Sequence, residues 1–146
     1  MFTSKKTYGI ESGFSCCYRK HTSMSHCKFL HGYSLGFEFV FATENLNLHG
    51  WVYNFGSCNW IKEFLTEHFD HKVIIQNDDP ELDKFEELAE SNLIQLVLVK
   101  NSSCEGFAQM VFESVSQGLV VATDNKVWLK KVTVFEHSAN SASFQK

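Results

Sequence analysis

Cys27-Lys28-Phe29-Leu30-His31-Gly32-Tyr33-Ser34-Leu35-Gly36-Phe37-Glu38-Phe39-Val40-Phe41-Ala42 is the stretch that decides the fold. From His31 onward large and small side chains alternate. His31, Tyr33, Leu35, Phe37, Phe39 and Phe41 line one side; Gly32, Ser34, Gly36, Glu38, Val40 and Ala42 line the other. A period of two is the signature of a strand with one buried face. Upstream, Thr7 to Tyr18 alternates as well, with Tyr8, Ile10, Ser12, Phe14, Cys16 and Tyr18 on one side. It reads as a second strand and the hairpin partner of the first. The polar segment Arg19–Lys28 between them reads as a loop.

Downstream, Asn45–Gly50 is rich in turn formers. Asn54 or Ser57 can cap a helix running to about His68, whose Trp60, Ile61, Phe64 and Leu65 share one face. Asn77-Asp78-Asp79-Pro80 is a turn, followed by a short amphipathic helix through Leu82, Phe85 and Leu88. Leu93–Lys100 is a strand candidate. Ser102 with Glu105 fits a capping box, opening a helix that carries Phe107, Met110, Val111 and Val115 toward Gly118 as its end. Val127–Glu136 is the last strand, and Ser138–Lys146 reads as a polar tail. The expected architecture is α+β: an antiparallel sheet of about four strands with two main helices on one face, in a single domain over residues 1–146. Long open edges on such a sheet predict that subunits join edge to edge.

Composition narrows the function classes. The 146 residues are 44% hydrophobic with 14 Phe, enough for one aromatic core. Thirteen Lys and Arg stand against 17 Asp and Glu, and no basic stripe exists, so nucleic-acid binding is not expected. No apolar run approaches the ~20 residues of a membrane helix. The N-terminal residues do not resemble a signal peptide, and five scattered Cys suit a reducing, cytoplasmic compartment.

Six short segments, in order, resemble the 6-pyruvoyl-tetrahydropterin synthase / 6-carboxytetrahydropterin synthase family. Phe14-Ser15-Cys16-Cys17-Tyr18-Arg19 is similar to its Phe-x-Ala-Ala-His-Arg. Cys27-Lys28-Phe29-Leu30-His31-Gly32-Tyr33-Ser34 is similar to its Cys-x-x-x-His-Gly-His-Ser. Gly50-Trp51-Val52-Tyr53-Asn54-Phe55, Phe69-Asp70-His71, Ser102-Ser103-Cys104-Glu105 and Val134-Phe135-Glu136 are similar to its remaining signatures. The resemblance implies the tunnelling fold, in which sheets of several subunits (a trimer, tetramer or hexamer) join into a barrel with active sites between them. It implies a lyase acting on 7,8-dihydroneopterin triphosphate, making either 6-pyruvoyl-tetrahydropterin or, on the way to deazapurines such as queuosine, 6-carboxytetrahydropterin. The three residues between Cys27 and His31 look more like the carboxy branch.

Carried over position by position, Cys27 is the proton-transferring thiol, His71 its partner base and Asp70 the group that orients His71. A thiol of pKa about 8.5 needs such a base to act near neutrality. Glu136 would hold the guanidine-like edge of the pterin, assisted by Glu105; read from its local pattern, Glu105 is a capping-box residue. The family's zinc has three His ligands. Here only His31 remains, with Tyr18 and Tyr33 at the other two positions and Asn54 in place of a signature Asp. One imidazole and two phenols make a poor zinc site. Tyr18 and Tyr33 then either fill the space with hydrogen-bonded hydroxyls or serve a harder ion such as ferric iron. Cys16, Cys17, His21 and His26 are the nearest substitutes. The alternative function is a metal-free homologue with a pterin- or purine-shaped pocket, either a binding protein without catalysis or an enzyme with altered chemistry; an oligomeric interaction protein on the same scaffold is a third class.

Overall fold

The axis of the molecule is β3 (His31–Thr43), the alternating strand of the opening motif. The computed structural model describes residues 1–146. Leu35, Phe37, Phe39 and Phe41 are fully buried along one face of β3. At about 1.5–3 kcal/mol for each large apolar side chain taken from water, these four alone dominate the local energetics.

Two strands share one edge of β3. β1 (Phe2–Tyr8) pairs with its outer half, Tyr8 opposite Phe37; β2 (Phe14–Tyr18) pairs with its inner half, Phe14 opposite Leu35. The expected single strand over Thr7–Tyr18 is therefore broken. Between Tyr8 and Phe14 the chain makes a one-turn 3-10 helix at Ile10–Ser12, closed by Gly13 at φ 80°. Glycine tolerates that left-handed conformation without a Cβ clash, so the inserted loop costs little. The pairing with β3 held, and its continuity did not.

α1 (Asn59–Phe69) buries Ile61, Leu65 and Phe69 against the sheet, and Asn54 accepts from the Gly56 N–H at the turn that precedes it. β4 (Lys72–Gln76) follows, then α2 (Leu82–Glu90), β5 (Leu96–Val99), α3 (Cys104–Thr123), β6 (Trp128–His137) and β7 (Asn140–Gln145). The sheet has seven strands in the order β5-β4-β2-β3-β6-β7, with β1 also on β3. β4 lies parallel to both β2 and β5. The expectation of a four-stranded antiparallel sheet with two helices is thus corrected to a mixed seven-stranded sheet with three helices. β4 escaped notice because its buried Val73-Ile74-Ile75 is a three-residue apolar run without alternation, the mark of a strand covered on both faces. β7 escaped because its residues are polar and half-exposed. It survives by pairing with β6 and seating Phe144 on Phe112 with ring centroids 5.1 Å apart.

Two further local readings shift. Ser103, not Ser102, caps α3, its hydroxyl accepting from the Gly106 N–H at 3.1 Å. Ser102 instead donates to the Arg19 carbonyl at 2.6 Å. Gly118 does not end α3, which continues to Thr123 and stops at Asp124 in the left-handed conformation, φ 51°. A Cβ on Gly118 would stand 2.5 Å from the Trp60 ring, so this glycine serves the close packing of α3 on α1. No helix is long and apolar enough to cross a membrane.

Candidate functional site

β-pairing assembles the first part of the site. Tyr18 lies directly opposite His31, and Cys16 opposite Tyr33, across β2 and β3. Ring centroids are 5.2 Å apart for Tyr18 and His31, 6.0 Å for Tyr18 and Tyr33, and 5.6 Å for His31 and Tyr33. Tyr18 is 3% exposed and is held edge-on by Phe107 of α3 at 5.0 Å. Its hydroxyl donates to Glu136 Oε1 at 2.7 Å, joining β2 to the end of β6. Burial, then the Glu136 carboxylate, push the Tyr18 phenol pKa well up, so it stays protonated. Burial also raises that of Tyr33, with a contribution from Glu136. The His31 Nδ1–H donates to the Phe29 carbonyl at 2.7 Å, which leaves Nε2 as the free face of that ring.

Glu136 and Glu105 meet at one pocket of about 390 Å³, lined also by Cys104 and by Ala139–Ala142. No protein group bonds Glu136 Oε2. Glu105 is not consumed in capping: the Ser102 N–H goes to Gln76 Oε1, and Glu105 is one of the residues that line the pocket. His137 joins the set unforeseen, its ring 6.0 Å from that of Tyr33. Its adjacency to Glu136 was the signal available in the sequence. Burial pushes the Cys104 and Cys16 thiols up to about 12, so both are neutral and inert at ordinary pH.

Cys27 sits in the one-turn helix His26–Lys28, whose cap Ser25 accepts from the Cys27 N–H at 3.3 Å. Asp70 closes α1. His71 follows at φ 57°, its N–H bonded to the Ser15 carbonyl at 2.7 Å and its Nδ1–H to Asp70 Oδ1 at 2.8 Å. The His71 side chain is 78% exposed. Asp70 and His71 thus form a pair at the start of β2, whereas Cys27 lies beyond its far end, where its carbonyl accepts from the Lys20 N–H. Within one chain the thiol and its expected base are not hydrogen-bonded to each other. Two roomier clefts, of about 450 and 660 Å³, lie around Trp51, Tyr53 and Trp128 and contain none of these residues.

The donor set does not fit zinc. A protonated phenol already spent on a carboxylate is not a ligand, and no three His, Cys, Asp or Glu side chains converge to hold a metal ion. Two of the four nearest substitutes are engaged elsewhere. The Cys16 thiol is buried and neutral, and His21 Nε2 faces Asp78 Oδ1 at 3.2 Å.

The family model for 6-pyruvoyl tetrahydropterin synthase matches residues 8–146. The chain belongs to that family. It is 36% identical over 59 residues to a 6-carboxy-5,6,7,8-tetrahydropterin synthase of Rickettsia typhi, a stretch covering 40% of this chain and 43% of that protein. The matched stretch is under half the length of that curated relative. The fold is shared over the whole length. A protein from Wolinella succinogenes of uncharacterised function superposes with a TM-score of 0.83 at 20% identity, covering 99% of this chain and 98% of that one. A catalytic-residue mutant of Plasmodium vivax 6-pyruvoyltetrahydropterin synthase gives a TM-score of 0.70 at 15% identity, covering 100% and 99%. The α+β fold of those structures is therefore this chain's fold.

Proposed function

We propose that the pocket at the end of β6 takes a pterin, 7,8-dihydroneopterin triphosphate or a close relative. The observation that carries this reading is Glu136, a carboxylate with one oxygen fixed by Tyr18 and the other without a protein partner, at a pocket that Glu105 also lines. Two N–H groups of a guanidine-like edge would meet a carboxylate already oriented for charge-assisted hydrogen bonds. Cys27 would transfer protons to and from the pterin side chain, and His71, turned toward Asp70, would be its base. Because the two lie at opposite ends of β2, the pair forms between copies of the chain: His71, exposed on one protomer, meets Cys27 of another. The free edges of β1 and β7 are the natural seams for joining sheets into such an oligomer. The reaction class would be carbon–oxygen lysis with loss of triphosphate, in a cytoplasmic setting.

A second reading is a metal-free pterin- or purine-binding protein without turnover. The phenols of Tyr18 and Tyr33 favour it, since they occupy positions where the family pattern has zinc ligands. One experiment separates the two. The purified protein is titrated with a stable pterin by calorimetry, then assayed for triphosphate release from 7,8-dihydroneopterin triphosphate, with chelator and with added zinc. Binding with turnover supports the lyase, and binding without turnover supports the second reading. Absence of binding removes both.

A further inference from the structure

The loop that carries Cys27 is tied down by polar side chains that no step above uses. Arg19 follows directly on Tyr18. Its Nε–H donates to Asp79 Oδ2 at 2.7 Å and its Nη2 to Asp79 Oδ1 at 2.6 Å. The Asp79 side chain is 0% exposed and that of Arg19 18%. The remaining arm of the guanidinium, Nη1, donates to the Lys28 carbonyl at 3.2 Å. One residue back along the same turn, the Cys27 carbonyl accepts from the Lys20 N–H at 2.9 Å. The Lys20 ammonium in turn bridges Gln76 Oε1 at 2.7 Å and Asn101 Oδ1 at 2.8 Å. Asp79 is itself held by the end of β4: its N–H donates to the Gln76 carbonyl, and its Oδ1 accepts from the Glu81 N–H, both at 2.9 Å. The contacts therefore run without a gap from the parallel strands, through Asp79 and Arg19, to the peptide groups on the C-terminal side of Cys27.

An ion pair this buried is poor evidence for stability by itself, because desolvation offsets most of the attraction. Its geometry is more informative. A planar fork can grip a carboxylate with two N–H groups and still present a third to a backbone carbonyl, which an ammonium on a flexible stem cannot do with the same fixed geometry. We propose that Asp79, acting through Arg19, is a positioning residue that fixes the Cys27 turn against the ends of β2 and β4. This rests on the assignment of Cys27 to proton transfer. A reacting group displaced by about 1 Å can cost on the order of a hundredfold in rate.

Two variants test it. Asp79→Asn removes the second acceptor oxygen and the charge. Arg19→Lys keeps a cation beside Asp79, and with it the fold, but gives up the fork. The reading that does not depend on turnover is native alkylation of Cys27 by iodoacetamide, quantified by peptide mass spectrometry against Cys17 of the same molecules. Hydrogen exchange of the amides at 27–29 accompanies it. Both variants are expected to change Cys27 labelling relative to Cys17 by about threefold or more, with faster exchange confined to the turn. Unchanged labelling and exchange in both overturn the clamp. Where the wild type turns over, each variant should lower kcat about tenfold with pterin Kd within about twofold; an equal loss in Kd overturns the positioning role. A wild type without turnover whose variants still release the turn refutes the lyase reading and leaves the clamp standing.

Discussion

Tyr18 and Glu136, 118 residues apart in sequence, share a 2.7 Å hydrogen bond in which the phenol donates to the carboxylate. The phenol ring is clamped between His31 and Phe107, so the bond fixes the carboxylate from a rigid wall. Tyr18→Phe keeps the ring and deletes the donor. It should lower unfolding free energy by about 2 kcal/mol, the usual worth of a hydrogen bond to a charged group. Chemical denaturation reads this directly. Glu136→Gln should weaken pterin binding roughly tenfold to hundredfold, measured by calorimetry, because charge-assisted bonds become neutral ones.

The same phenol stands where the family pattern has an imidazole. Tyr18→His with Tyr33→His would place three His rings on neighbouring register positions of β2 and β3, with His31 already oriented through its Nδ1–H. The double variant should retain about one zinc per chain after gel filtration, by elemental analysis, whereas the wild type should retain none.

Gly118→Ala tests the α1–α3 contact. Alanine is the better helix former, by about 1 kcal/mol over glycine. Its Cβ would nevertheless stand 2.5 Å from the Trp60 ring. Overpacking should win, with a net loss of about 1–2 kcal/mol in thermal or denaturant unfolding. A stabilised variant would show that the two helices yield easily.

Acid stability follows from Asp79. Hydrogen bonds from Arg19 hold its carboxyl below the usual carboxylate range. The folded value lies below the unfolded one of about 3.9, so the contribution is complete above that pH and is lost as pH falls through the folded value. Asp79→Asn should be about 3 kcal/mol less stable than wild type at pH 7. The gap should begin to narrow below about pH 4 and close as pH falls through the folded value, where the wild-type carboxyl also takes up its proton. Urea unfolding at pH 7, 5 and 3 checks the sign.

The candidate site residues were named from motifs that are local. The strand reading of β3 put His31 and Tyr33 on one face, and the family pattern singled out Cys27, Asp70, His71, Glu105 and Glu136. Glu105 also fitted a capping box, yet the structure spends Ser103 on the cap and leaves Glu105 in the lining of the pocket. His137 and the Arg19–Asp79 clamp went unread. Neither carries a periodicity, and an ion pair between residues 60 apart leaves no mark in either neighbourhood.

What the sequence by itself determined is what short-range physics encodes. The period of two in β3, the apolar stripes of α1 and α3, and the six family segments each depend on residues a few positions apart. The tertiary structure decided the rest: the break at Gly9–Gly13, the parallel β4 and β5, the polar β7, and the partners of Tyr18 and Asp79. Those features are set by which surfaces remain to be covered once β3 is buried. A buried phenol or carboxylate must find its partner wherever the fold brings one, and that distance is written in space rather than along the chain.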